Sequence, residues 1–129
     1  MQINRYVLFL SVVAALGGFL FGFDTAVNTA MEAIDKIRDT AAAHDRIFFI
    51  EVMGRDSGYI GIECGIGGGA ELVMVPETKT TIEDVVKSLK GLRKSKTSSI
   101  IIVAEGLPCG DAAQIMGRVK ASFRDDEKE

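Results

Sequence analysis

Charge along this chain stops abruptly at one place. From Tyr6 to Phe23 the sequence YVLFLSVVAALGGFLFGF has no ionisable group other than the Tyr6 phenol, while every charged side chain except Arg5 lies at Asp24 or beyond. As a helix the run would be about 27 Å long at 1.5 Å per residue, the lower edge of what a hydrocarbon core of about 30 Å requires. Such a segment must leave water, either into lipid or into a protein core. Gly17, Gly18 and Gly22 weaken a solvated helix, yet small residues are favoured where membrane helices pack closely. A signal peptide fits less well. Arg5 alone would form its basic flank, and the apolar run continues past Ala14 and Ala15 without a clean small-residue cleavage site.

The remainder has an ordinary soluble composition. Over all 129 residues, 47% hydrophobic and 26% charged side chains fall in the globular range and predict one domain's worth of chain. A net charge of -3 leaves no basic footprint for nucleic acid. Cys64 and Cys109 are far apart, lack CxxC spacing and are accompanied by a single histidine, His44. That pattern supports neither a zinc site nor a disulfide framework and reads as reduced, structural thiols in a cytoplasmic setting.

Periodicity supplies the elements. Val27, Ala30, Met31, Ile34, Ile37 and Ala41 form one face of a helix that Asp24 is placed to cap. IFFIEVM, Ile47 to Met53, reads as a strand closed by Gly54. A helix from Ser57 follows, weakened by Gly58, Gly61 and Gly65 and stopped by glycines 67 to 69. Leu72 to Val75 is a second strand. Thr80 and Glu83 form a capping-box pattern for a helix with Ile82, Val85, Val86, Leu89 and Leu92 on its apolar face. Its C-terminal lysines and Arg93 read as a solvated helix end. Ile100 to Ala104 is a third strand, and Ala112, Ile115, Met116, Val119 and Phe123 mark a last amphipathic helix. Strands alternating with helices predict an α/β fold: a small parallel βαβ sheet of three strands flanked by helices, preceded by the apolar N-terminal helix. The expected organisation is an apolar segment at 1–23, an α/β unit at 24–123 and a charged tail at 124–129.

In open parallel sheets ligands bind beyond the carboxyl ends of the strands. Met53-Gly54-Arg55, Pro76-Glu77 and Glu105-Gly106 are therefore the residues to inspect. A guanidinium fork suits phosphate, Gly54 lets a ligand approach the backbone, and a carboxylate such as Glu105 accepts hydrogen bonds from sugar hydroxyls. Taken by themselves, Arg55 and Glu105 are equally compatible with ordinary loop charges.

Four segments in this order, GFDTAVNTAMEAIDKIRDTAAAHDR, IEVMGRDSGYIGI, GGAELVMVPE and SSIIIVAEG, resemble the central part of a phosphofructokinase, from Asp24 to about Phe123. The resemblance implies a cytoplasmic, homo-oligomeric phosphotransferase. It assigns fructose 6-phosphate contacts to Met53, Gly54 and Arg55, sugar-hydroxyl binding to Glu105, and reach into a neighbouring subunit's site to Arg46. The stretch AAAHDR departs from the family's serine-containing version, and His44 reads as structural. Residues Gly17 to Asp24, GGFLFGFD, also resemble the end of the first span of a major-facilitator sugar porter. Two readings follow: a phosphofructokinase-like piece, and a membrane-anchored or porter-derived chimera.

Absences bound the chemistry. The family's glycine-rich donor loop and its TIDND-like segment, which supplies the catalytic base and helps hold magnesium, have no counterpart in this sequence. GIGGGAE at 65–71 precedes a strand, so it is a turn and not a phosphate loop. Mg and ATP or pyrophosphate are thus implied for the full family enzyme, with no catalytic residue, metal ligand or cofactor site expected here and only weak fructose 6-phosphate binding.

Overall fold

A computed structural model describes residues 5–44, 46–95 and 98–126. The elements are α1 (Arg5–His44), β1 (Ile47–Val52), α2 (Tyr59–Gly67), β2 (Leu72–Met74), α3 (Ile82–Leu92), β3 (Ser99–Ala104) and α4 (Ala112–Asp126). The expected α/β class holds, with one parallel sheet in the order β1-β3-β2. Of the charged tail, residues 127–129 lie outside the described residues, as do the side-chain surroundings of His44.

The last strand in sequence is the middle one in space. Val52 is level with Ala104 on one side, and Met74 with Val103 on the other. Every residue of β3 is buried, because both faces of a parallel sheet are covered. Alternation then divides its side chains: Ile101 and Val103 enter a core with Val85, Leu89 and Ile115 from α3 and α4. Ile100 and Ile102 face the other way, into a core with Ile34 of α1 and Cys64 of α2. Burial pushes the Cys64 thiol pKa up, with Glu63 adding to the effect.

Two local expectations are corrected. Asp24 is not an N-cap: α1 passes through it as one helix of 40 residues. The change from apolar to charged side chains at Phe23 and Asp24 alters the solvent preference of the helix but removes no backbone hydrogen bond, and no proline intervenes. Thr25 sits inside the helix with its hydroxyl donating to the Phe21 carbonyl at 2.9 Å. The capping box lies one residue later than expected, on Thr81 and Asp84. Thr81 Oγ1 accepts from the Asp84 N–H at 3.3 Å, and Asp84 Oδ2 accepts from the Thr81 N–H at 3.2 Å and its hydroxyl at 2.7 Å. These bonds, the hydroxyl first and the N–H second, hold the Asp84 carboxyl below its ordinary range.

The glycines that weaken α2 also explain where it lies. A Cβ at Gly58 would sit 2.2 Å from Val75 Cγ1, and one at Gly65 would sit 2.2 Å from Val73 Cγ2. Bare backbone is what lets this helix rest against β2. α2 begins at Tyr59 instead of Ser57 and ends at Gly67.

Candidate functional site

Parallel strands send their carboxyl ends to one edge of the sheet, and β1 and β3 are hydrogen-bonded neighbours there. The Glu105 N–H donates to the Val52 carbonyl at 2.9 Å, so the loop after β3 starts beside the loop after β1. Two glycines with positive φ bring these loops closer. Gly106 has φ +84°, and a Cβ on it would lie 2.6 Å from the Arg55 carbonyl oxygen and 2.9 Å from Arg55 Cα. Gly54 has φ +148°, and its Cβ would meet the Ser57 carbonyl at 2.5 Å. Any side chain at either position meets both torsional strain and backbone atoms. Met53, Gly54, Arg55 and Glu105 are therefore brought together on one edge, with the Met53, Arg55 and Glu105 side chains exposed.

Arg46 is at the other end of β1. Its carbonyl accepts from the Ser99 N–H at 3.3 Å where β3 begins, and its side chain is exposed. Strand length alone separates it from Arg55 by about 20 Å, at 3.3 Å per residue.

Glu77, inspected because it follows β2, has a definite job. Its two carboxylate oxygens accept from the Gly58 N–H at 2.8 and 3.0 Å, at the positive end of α2. That backbone bond is the main reason its carboxyl lies below the ordinary range, with Ser57 contributing less. Glu51 acts in the same way on α4, accepting from the Ala112 N–H at 2.8 Å. Both caps escape sequence reading because the partners are 19 and 61 residues apart.

The clefts beside this edge are apolar. One of about 460 Å³ is lined by Phe19, Leu20, Phe23, Ser57, Tyr59 and Ile60. Another of about 470 Å³ includes Gly22, Ala26, Val52, Met53 and Ile60. Neither includes Arg55 or Glu105, whose side chains are exposed to solvent. No group of three or more His, Cys, Asp or Glu side chains suited to a metal occurs among the described residues.

The phosphofructokinase family model matches residues 17–128, nearly the whole chain. The chain belongs to the phosphofructokinase family. The match starts within the apolar run, ahead of Asp24. An ATP-dependent 6-phosphofructokinase 1 of Thermus thermophilus is 52% identical over 103 residues, which cover 79% of this chain and 32% of that enzyme. An ATP-dependent 6-phosphofructokinase of Cytophaga hutchinsonii is 54% identical over 106 residues, covering 81% of this chain and 32% of the enzyme. The solved T-state phosphofructokinase of Pichia pastoris superposes with a TM-score of 0.68 at 30% identity, over 77% of this chain and 12% of that one. The chain thus carries a partial phosphofructokinase domain, spanning about a third of its curated bacterial relatives.

Proposed function

We propose that this phosphofructokinase segment carries one side of a fructose 6-phosphate site and has no phosphoryl-transfer activity alone. The observation that carries this reading is the close approach of Gly106 to Arg55, which joins the two strand ends that the family resemblance assigns to the sugar phosphate. Arg55 would take the phosphate in a charge-assisted fork, Gly54 would let the substrate reach the backbone, Met53 would pack against the sugar and Glu105 would accept from its hydroxyls. Arg46, at the far edge, would complete the site of a partner subunit in a homo-oligomer. Phosphoryl transfer needs a positioned base and metal-held donor phosphates. In a full-length, cytoplasmic enzyme, Mg and ATP, or pyrophosphate, would be held by segments this sequence lacks.

Titration of the chain with fructose 6-phosphate, followed by amide chemical shifts, should perturb Gly54, Arg55 and Glu105 at millimolar ligand. Arg55→Ala should abolish the response, and Arg46→Ala should leave it unchanged in the monomer. An unaltered response in Arg55→Ala would sink the assignment, and turnover with ATP or pyrophosphate above a protein-free control would sink the claim of inactivity.

A second reading, membrane association through residues 6–23, is supported by the exposure of the apolar half of α1. Phe9, Leu10, Val12, Val13, Leu16, Phe19, Leu20 and Phe21 are all exposed.

A further inference from the structure

The direction in which α1 leaves the α/β unit decides what lies next to the sugar-phosphate edge. α1 ends where β1 begins, at the amino edge of the sheet, and its docked face runs back along the sheet through Ile34, Ala30 and Val27. It reaches the carboxyl edge at Phe23, whose ring lies 5.5 Å from that of Tyr59. The stretch 9–21 continues beyond this edge in the same unbroken helix.

The occupant around that stretch is set by its chemistry. Exposed apolar side chains occur at Phe9, Leu10, Val12, Val13, Leu16, Phe19, Leu20 and Phe21, which at 3.6 residues per turn span about 200° of the circumference, and the exposed Ser11, Ala14, Ala15 and Gly18 fill the remainder without a charge. A partner helix would cover one stripe and leave the others wet. A helix without a charged face requires a surrounding apolar medium, and by length and composition α1 contains a candidate membrane span that begins at Phe9. The uncharged interval ends at Asp24, level with the exposed Tyr59 and Met53. An aromatic ring and a thioether at that depth suit the boundary between hydrocarbon and headgroups. At the same edge Asp24, Asp56, Glu77 and Glu105 outnumber Arg55 and Lys79, so attraction to anionic lipid is not what would hold it there.

We propose that α1 inserts residues 6–23 into a zwitterionic bilayer and thereby turns the edge bearing Met53, Gly54, Arg55 and Glu105 toward the membrane surface. This rests on the membrane reading above and adds an orientation to it. Sugar phosphate then reaches Arg55 through the layer of water next to the headgroups, and the amino edge with Arg46 points into bulk solvent.

The test uses the full chain in phosphatidylcholine vesicles, in a Cys109→Ser background, with a fluorophore on either Asp56→Cys or Ser95→Cys. Both positions are exposed, and Cys64 is buried. Ser95 lies at the amino edge, about 20 Å farther from the membrane by strand length. A nitroxide carried on lipid headgroups should quench the Asp56 probe strongly and leave the Ser95 probe at its vesicle-free intensity. Flotation with the vesicles should persist at high salt and be lost in Leu16→Arg. Flotation with equal or reversed quenching would overturn the orientation while leaving the membrane reading standing. Failure to float, or a soluble detergent-free dimer that ignores vesicles, would overturn both.

Discussion

The two halves of α1 share one backbone and have opposite surroundings. From Phe23 to Ala41, apolar residues recur at three- and four-residue spacing with charges between them, and the helix packs on β1 and α2. From Phe9 to Phe21 there is no polar face, and no neighbouring element covers the helix: Phe19 is 73% exposed and Phe21 76%, whereas Ile34 is at 0%. Periodicity tells a helix which side to bury, and uniform apolarity tells it only to avoid water.

The largest test of this contrast is a truncation at equivalent buried and exposed positions. Ile34→Ala should destabilise the α/β unit by about 2–5 kcal/mol, whereas Leu16→Ala should stay within about 0.5 kcal/mol. Urea unfolding in detergent micelles, read by circular dichroism, checks both; similar losses would mean the N-terminal half is packed after all. A smaller difference is expected between glycines. Gly58→Ala drives a methyl into Val75 and should cost about 1–3 kcal/mol. Gly17→Ala enters open space and should gain up to about 1 kcal/mol of helix propensity.

The smallest effect concerns pH. Glu77 and Asp84 both have lowered folded-state pKa values. Their contribution is therefore fully present above the unfolded carboxylate range, about 4, and is lost as pH falls through the lower folded values. Melting temperature should fall along that interval, and Glu77→Gln should flatten the drop without shifting lipid partitioning, since the carboxylate bonds the Gly58 N–H at the start of α2 and not the apolar stretch of α1.

Much of this was legible in the sequence, and the misses share a cause. The strands and the buried faces of α1 and α3 follow from period and composition, which act locally. The continuity of α1 across Asp24 is not legible, because the change in charge there reads as a helix boundary while hydrogen bonding along the backbone is indifferent to it. TTIED satisfies a capping pattern in two frames, and the one adopted makes Ile82 the first helical residue and buries it. That Arg55 and Glu105 share an edge follows from strand direction. That their loops touch depends on β3 lying beside β1, a strand order that periodicity does not encode.

The central position of β3 also sets a timetable. β1 and β2 have no hydrogen bonds to each other, and both wait for Ser99–Ala104. During synthesis, therefore, both strands stay unpaired until Ser99–Ala104 has been made. The pairing with β3 that finally covers the two strands is long-range and hence slow to form, with unpaired strand edges open to aggregation in the interval. A nascent chain of this design is at its most vulnerable just before Ser99 leaves the ribosome.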